Sequence, residues 1–328
     1  MSHKAQKEEQ QWFVSVVVPV YNGRDTIGEC IEALLAQNYP RALHEILVVD
    51  NNSTDGTDEI VKQYPVTLLY ERQEQTSYAA RNRGIRAARG DIVAFTDADC
   101  IAEKGWLQGL ISPFAAPSVG AVAGSIRPSA PESLVERFFA SVRPYEAGVD
   151  DGLLALLTGN VAYRKSVLQA VGMFDEALFT AGDVDLGWRV QIYTGAQVKR
   201  VPDAVVYHRH RTTLKGLFKQ YRRYGFSEVL LDTLYRRSPF HSRTPAQQLR
   251  GMLRQIRALI IYVASTVYRR IVVGLGLKAI ADRKFYVASP ALFFVAESGA
   301  LIGKCEALAA TRGFRRNPFP SRPDIRRD

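Results

Sequence analysis

The chain has 328 residues, of which 47% are apolar and 23% are charged. That composition supports a folded core and excludes global disorder, and the length fits one large domain or one domain with an extension. Three cysteines (Cys30, Cys100 and Cys305) are too few and too scattered for a disulfide framework or a structural zinc site, which favours a reducing compartment. The N-terminus is polar, so Sec-type export is not expected.

The net charge of +10 is divided unevenly along the chain. Residues 1–200 hold 19 Lys and Arg against 25 Asp and Glu, a net charge of −6, whereas residues 201–328 hold 24 against 8, a net charge of +16. An acidic region can hold a metal ion, and a strongly basic one attracts a polyanion such as nucleic acid or the anionic face of a membrane. We therefore expect the two parts to do different jobs.

The first hundred residues alternate between strand and helix patterns. Strands are predicted at 15–18, 44–50, 66–71 and 91–96, and helices at 27–35, 58–63 and 77–88. Thr26 and Glu29 form a candidate capping box for the first helix, and Gly90 is a candidate stop for the third. This order predicts a parallel sheet with right-handed crossovers, whose ligands bind beyond the carboxyl ends of the strands.

Three of the predicted strand ends should lie along one edge: 19–21, 50–52 and 97–99. The strongest chemical signal among them is Asp97-Ala98-Asp99, which follows an apolar strand. At a turn, both carboxylates can converge on a hard divalent cation such as Mg²⁺ or Mn²⁺, which takes oxygen ligands and keeps open positions for phosphates. The alternative is a polar strand end with solvated acids.

Five sequence blocks occur in an order that resembles the family-2, GT-A-fold inverting glycosyltransferases. They are SVVVPVYNG (15–23), ILVVDNNSTDGT (46–57), AARNRGIRAARGDIVAFTDADC (79–100), TGNVAYRKSVLQAVGMFDE (158–176) and AGDVDLGWR (181–189). The resemblance implies an α/β GT-A catalytic domain over residues 13–211, with a Rossmann-like mixed sheet, preceded by a flexible N-terminus at 1–12.

The resemblance also implies where the donor nucleotide binds. Tyr21, with Pro19 beside it, resembles the aromatic residue that contacts the base, and Asp50 and Asn51 resemble the pair that hydrogen-bonds the base edge. Arg81 resembles an arginine near the base and ribose. Many relatives carry two acids where this chain has Asp50 and Asn51, so the identity of the base stays open and UDP is only the default.

Asp97 and Asp99 resemble the metal-binding D-x-D of the family. Asp99 would ligate the ion that bridges the diphosphate, and Asp97 would reach the ribose or a metal-bound water. His208 resembles a third metal ligand of some GT-A enzymes, although His210 would share its face on an extended strand. The alternative is a pair of surface histidines beside a basic segment.

Asp183 resembles the catalytic base, the second acid of a Glu-Asp pair whose first position here is Gly182. A carboxylate at this point would take the proton of the attacking acceptor hydroxyl. Asp185 is the runner-up base; at a spacing of two on a helix only one of the two acids can face the site. Alternatively, both serve as acids that stabilise a helix N-terminus.

The processive members' Gln-x-x-Arg-Trp motif is absent after Asp183, which favours transfer of one sugar at a time. The expected function is metal-dependent inverting transfer of a single sugar from a nucleotide-diphospho-sugar to a hydroxyl acceptor on a glycan or lipid-linked glycan. Two alternatives are a non-catalytic GT-A module, binding nucleotide-sugar or acting as a membrane scaffold, and a sugar nucleotidyltransferase. No Gly-rich phosphate loop follows the first strand, which disfavours the latter and a dinucleotide oxidoreductase. No nucleic-acid partner is expected.

The basic C-terminal part, with helices expected at 214–224, 251–281 and 285–303, lies outside the resemblance. As a membrane span the second helix fails, because Arg269 and Arg270 would each cost about 2.5–3.5 kcal/mol near mid-bilayer, and the third contains Pro290 and Glu297. We expect a helical extension over 212–311 that lies on an anionic, cytoplasmic membrane face, followed by a basic, Pro-containing tail at 312–328. The alternative is a helical cap packed on the catalytic domain.

Overall fold

The structure is a computed structural model that describes residues 11–142, 149–150, 153–236, 244–276 and 281–312. Two compact units form. The first comprises 1–129, 144–149 and 153–209, and the second comprises 130–143, 150–152 and 210–328. Residues 130–143, placed in the catalytic domain on sequence grounds, group with the second unit. Most of the predicted flexible N-terminus and of the basic tail lies outside the described residues.

The first unit is built on a mixed sheet of eight strands. The strands in the described part of the chain are β1 (Val14–Val20), β2 (His44–Asp50), β3 (Thr67–Tyr70), β4 (Ile92–Thr96), β5 (Cys100–Ala102), β6 (Val119–Pro128), β7 (Val149–Asp150), β8 (Leu153–Leu154), β9 (Asn160–Arg164) and β10 (Gln197–His208). The sheet order is β3-β2-β1-β4-β9-β6-β10-β5, and β7 and β8 lie outside it. The first four strands in this order run parallel, whereas β9 is antiparallel to both of its neighbours and β5 is antiparallel to β10.

The described residues of this unit form the helices α1 (Ile27–Leu35), α2 (Thr57–Val61), α3 (Ser77–Ala87), α4 (Trp106–Ile111), α6 (Lys165–Ala170) and α7 (Gly182–Thr194). Two short 3₁₀ helices lie at Arg41–Leu43 and Ser112–Ala115. β1, β2 and β4 are buried along their whole length, which explains why they read as unbroken apolar runs. A core cluster joins them to α1 and α4, with Trp106 fully buried in it.

Two local sequence predictions were wrong. The Thr26 side chain does not cap α1; its hydroxyl donates to the Gly23 carbonyl oxygen at 3.3 Å. Gly90 does not end α3, since the cap residue is Ala88. Gly90 instead lies where a Cβ would overlap the backbone of Phe13, Ser15 and Ile92, so glycine is required there by a close approach of two chain segments.

The second unit is helical. It contains α5 (Leu134–Ser141), α8 (Leu214–Leu234), α9 (Pro245–Gly274) and α10 (Arg283–Arg312). α10 packs against each of the other three helices, and a small aromatic core forms around Phe138, Phe139 and Leu217. At the crossing of α8 and α10, a Cβ at Gly225, Gly299 or Gly303 would overlap the backbone of the facing helix, so these glycines permit a very close approach.

α10 is also the helix that comes closest to a membrane span. Over Arg283–Thr311 it is long and apolar enough to cross a bilayer, with a mean hydropathy of 1.5 in a window of which 33% is buried. No other helix in the described part of the chain passes the same test. The close packing of α10 on α8 supplies another reason for its apolar composition, because a core helix of a helical bundle is also apolar on most sides.

Candidate active site

The acids of the D-x-D motif lie in the turn between β4 and β5. β4 ends at Thr96, and the turn is closed by a hydrogen bond from the Cys100 N–H to the Asp97 carbonyl oxygen at 3.0 Å. The buried guanidinium of Arg81 on α3 donates to Asp97 Oδ1 at 2.5 Å. The Arg81 side chain therefore positions Asp97 by a charge-assisted bond, which is stronger than a neutral one. The Nε of Arg81 is buried and has no partner among the described residues.

His208 reaches the same turn through strand pairing. β10 is antiparallel to β5 with His208 opposite Cys100, and this register places His208 Nε2 3.5 Å from Asp99 Oδ1. Ligand atoms of Asp99, Cys100 and His208 lie within 4.8 Å of one another, a spacing that can hold a metal ion. Asp99 and His208 are half-buried, whereas Cys100 is buried. Asp99 and His208 offer the oxygen and nitrogen ligands that a divalent transition metal takes, whereas the Asp97 carboxylate is not in this group and is bonded to Arg81.

The other histidine of the pair goes elsewhere. His210 belongs to the second unit, where its ring stacks on Phe139 at a centroid distance of 4.8 Å. Of the two candidates, His208 is therefore the one beside the acids.

Asp183 lies in the first turn of α7, where helix N–H groups are unpaired. Its Oδ1 accepts a hydrogen bond from the Val184 N–H at 3.0 Å. Burial raises the pKa of the Asp183 carboxyl, the Arg81 cation opposes that rise, and the Asp97 carboxylate adds to it. Asp97, Arg81 and Asp183 therefore share one electrostatic environment, although they come from three separate segments of the chain.

Gly182 occupies the position of the missing glutamate. Its N–H donates to the Tyr78 hydroxyl oxygen at 2.9 Å, and a Cβ at this residue would lie 2.8 Å from the Tyr78 ring. The Tyr78 ring also stacks on Phe174 at 5.7 Å. A side chain at position 182 is thus excluded by an aromatic pair, which sequence reasoning missed because nothing in the pattern links residue 78 to residues 174 and 182.

Asp185, the runner-up base, is completely buried. Its Oδ2 accepts a hydrogen bond from Arg189 Nε at 2.8 Å, and Arg189 also donates to the carbonyl oxygens of Val171 and Met173. Asp185 is therefore the counter-ion of a buried arginine that ties α7 to the end of α6.

The predicted nucleotide residues lie at the carboxyl ends of β1 and β2. Asp50 Oδ1 accepts the Ser53 N–H at 3.0 Å, while Asp50 Oδ2 is buried without a partner in the described residues. The Asn51 amide nitrogen donates to two backbone carbonyls, those of Glu71 and Glu74. The Tyr21 ring is 54% exposed just past β1. Pro19 is buried inside β1, opposite Val49.

The 158–160 loop contributes one residue to the site and one to the fold. A Cβ at Gly159 would lie 3.4 Å from Asp97 Oδ2, so this glycine borders the acidic turn. Asn160 is buried; it accepts from Trp106 Nε1 and donates to the carbonyl oxygens of Ser125 and Ala204. Asn160 therefore holds strands and α4 together.

The mixed sheet and the acids at its edge define a GT-A-type protein, which confirms the predicted fold. The chain belongs to glycosyl transferase family 2. The model of "Glycosyl transferase family 2" matches residues 15–168, and that of "Glycosyl transferase family group 2" matches residues 92–294.

Curated relatives and a solved structure agree with this assignment. The glycosyltransferase AglE of Haloferax volcanii is 37% identical over 181 residues, which are 52% of this chain and 59% of the relative. The pre-mycofactocin glycosyltransferase of Mycobacterium tuberculosis is 32% identical over 229 residues, 66% of this chain and 47% of the relative. The chain thus spans about half the length of these relatives. A mannosyltransferase from Pyrobaculum calidifontis, solved with GDP-Man and Mn²⁺, has the same fold, with a TM-score of 0.61, 21% identity and coverage of 89% and 88% of the two chains.

Proposed function

We propose that this protein transfers a single sugar, with inversion, from a nucleotide-diphospho-sugar to a hydroxyl acceptor. The observation that carries the proposal is that Asp97 forms an ion pair with Arg81 and that the charges of both act on Asp183, while Asp99 lies in the same turn as Asp97. Carboxylates held close together repel one another, and a bound cation would relieve that repulsion. Acids whose pKa is shifted by such neighbours are common among catalytic residues, which supports a role for Asp183 as a base.

Asp183 is the proposed base. The acceptor oxygen attacks the anomeric carbon, the bond from that carbon to the diphosphate oxygen breaks, and the acceptor proton moves to an Asp183 carboxylate oxygen. A carboxylate whose pKa is raised by burial is a stronger base than an ordinary surface aspartate. Asp185 is not available for this role, because Arg189 holds it in the interior.

Asp99 and His208, with Asp97 beside them, are the proposed ligands of Mn²⁺ or Mg²⁺. When bound, a divalent cation there would neutralise the charge that develops on the nucleoside diphosphate leaving group. The mannosyltransferase of the same fold was solved with Mn²⁺ and GDP-Man, which supports this class of donor and metal. Arg81 fixes the Asp97 carboxylate through its bond at 2.5 Å.

The donor base is proposed to bind at the ends of β1 and β2. The Asp50 Oδ2 atom, buried and without a described partner, is suited to accept an N–H of a nucleobase. The exposed Tyr21 ring can stack on the same base. Asn51 would shape this pocket rather than donate to the base, since its amide nitrogen is committed to the Glu71 and Glu74 carbonyls; Pro19 is buried in β1. A UDP-sugar is the first donor to test.

The proposed acceptor is a hydroxyl on a glycan or lipid-linked glycan, met at the cytoplasmic face of an anionic membrane. The net charge of +16 over residues 201–328 supports such a location.

Release of nucleoside diphosphate from a panel of UDP- and GDP-sugars tests the proposal. With Mn²⁺ or Mg²⁺ present, we expect turnover of one donor, its loss in EDTA, and a loss of about 10²-fold or more in Asp99→Ala. The matched control is Asp91→Ala, an exposed acid just before the opposite end of β4. Unchanged turnover in both EDTA and Asp99→Ala would contradict the metal site, and binding of a nucleotide-sugar without any turnover would favour the non-catalytic alternative.

A further inference from the structure

α9 exposes an apolar stripe along its whole length. Its members recur every three or four residues and are each 44–68% exposed: Leu249, Leu253, Ile256, Ile260, Val263, Val267 and Ile271. At 3.6 residues per turn, this spacing places all seven on one face. From Leu249 to Leu275, which is also exposed, the face is about 39 Å long at 1.5 Å per residue.

The opposite face of α9 is the one that packs inside the second unit. Gln255 donates to Glu297 of α10 at 2.6 Å, and Tyr262 stacks on Phe293 at 5.3 Å. Arg269 donates to the Tyr286 carbonyl oxygen and to the Ser289 hydroxyl, and it lies over the Tyr286 ring at 4.5 Å. These contacts show which face of α9 packs inside the unit. The apolar stripe lies on the opposite face, which is exposed.

The charges on α9 are all of one sign. The helix carries five Arg (Arg250, Arg254, Arg257, Arg269 and Arg270) and no Asp or Glu. Three of them are exposed beside the N-terminal half of the stripe, at 250, 254 and 257. An apolar face bordered by cations is the pattern of a helix that lies in the plane of an anionic lipid surface, with its aliphatic side chains below the headgroups.

The same charges disfavour a second copy of this chain as the occupant. Two α9 helices packed stripe to stripe would bring Arg against Arg in either orientation, and α9 offers no acid to pair with them. Like charges facing each other across an interface oppose association. An apolar patch of this extent is rare on a monomeric soluble protein and marks an interaction site.

We infer that the outer face of α9 is the membrane-docking surface of this protein, which binds the headgroup region of an anionic bilayer with the helix axis parallel to the surface. The inference deepens the proposed membrane location by naming the element, its orientation and the residues that enter the lipid. α10, although apolar enough to span, stays packed on α8 in this arrangement.

Co-sedimentation of the full chain with lipid vesicles tests the inference. We expect binding to phosphatidylcholine vesicles that contain about 30% phosphatidylglycerol, and binding at least about tenfold weaker to phosphatidylcholine alone. The stripe variant Leu253→Ser/Ile260→Ser/Val267→Ser should lose about tenfold or more, with an unchanged circular dichroism spectrum because all three side chains are exposed.

A charge-matched pair separates docking by α9 from a general attraction of a basic protein. Arg250→Gln/Arg254→Gln/Arg257→Gln should lose about tenfold or more on the anionic vesicles. The control Arg83→Gln/Lys104→Gln/Lys199→Gln removes the same charge from exposed positions of the first unit and should stay within about twofold. Equal losses in the two variants would overturn the inference.

Two further readouts complete the test. A blue shift of the added fluorophore in Ile260→Trp on anionic vesicles is expected, and no shift would contradict insertion of this face. Light scattering should show a monomer in both wild type and stripe variant; a dimer that the stripe variant abolishes, with vesicle binding intact, would assign the face to a second copy. UDP binding by the same variants, measured by thermal shift, separates the lipid-docking inference from the proposed reaction. A variant that loses lipid binding should still bind UDP.

Discussion

Two regions of the molecule go against the usual distribution of side chains in a folded protein. The edge of the sheet holds acids close together, whereas the outer face of α9 exposes aliphatic side chains to water. At the first, Asp97 and Asp183 lie close enough to repel each other, and the buried Arg81 binds Asp97. At the second, seven aliphatic side chains face water beside exposed arginines. Folded proteins tolerate such conflicts mainly at functional sites, so the comparison gives the physical ground for the two ligands that we propose: a cation at the edge of the sheet and an anionic lipid surface at α9.

The largest effect is expected from removal of the proposed base, Asp183. Asp183→Asn keeps the shape of the side chain and removes its ability to take a proton, so kcat should fall by about 10²–10⁴-fold with little change in the KM for the donor. Steady-state transfer assays check this, with Asp91→Asn as the matched control. A kcat within a few-fold of wild type would remove Asp183 from the chemistry.

The same substitution at Asp185 should lower stability rather than kcat. Asp185→Asn leaves the buried Arg189 without its counter-ion and should lower the free energy of unfolding by about 3–5 kcal/mol. The kcat per folded molecule should stay near wild type. Urea denaturation beside an active-site titration separates the two quantities, and Asp58→Asn, which breaks an exposed pair with Lys62, should leave the melting temperature nearly unchanged. Loss of kcat without loss of stability would make Asp185 the base.

The pH profile sharpens the same assignment. Burial raises the pKa of Asp183, so its basic form is lost, as the pH falls, at a higher pH than for an ordinary aspartate of pKa about 3.9. The acid limb of kcat/KM should therefore lie above that value. Measurement of kcat/KM against pH, with circular dichroism to confirm folding at each point, checks this. A rate that stays flat down to the ordinary aspartate range would contradict a base whose pKa is raised.

Sequence patterns predicted the strand ends well, but they could not decide which of two nearby candidate residues lies in the site. β2 occupies the predicted 44–50, and the acids of the D-x-D lie at the predicted edge, because both follow from local hydropathy and from the rule for strand ends. His208 could not be separated from His210, since the choice depends on the register of β10 against β5, about a hundred residues earlier in the chain. Only the resemblance ranked Asp183 above Asp185; the helix pattern could not, because that choice depends on Arg189 and Tyr78 as packing partners.

The outer face of α9 was hidden from the sequence for a related reason. The residues 251–281 read as apolar and broken by Arg, and this pattern does not tell which arginines face inward. The structure shows that Arg269 is bonded within the helical unit while Arg250, Arg254 and Arg257 are exposed. Only the packing partners on α10 fix which side of the helix remains for another ligand.

The smallest expected effect concerns the residues at the N-termini of α9 and α1. Thr244 is a true N-cap of α9: its hydroxyl oxygen accepts the Gln247 N–H at 3.2 Å, and Gln247 Oε1 accepts the Thr244 N–H at 2.7 Å. Thr244→Ala should destabilise the first turn by about 1 kcal/mol, seen as faster hydrogen exchange of the amides at 247–250. Thr26→Ala should cost less, because the Gly23 carbonyl keeps its bonds from the Thr26 and Ile27 N–H groups. A loss at Thr244→Ala as small as that at Thr26→Ala would mean that the capping box does not stabilise the first turn of α9.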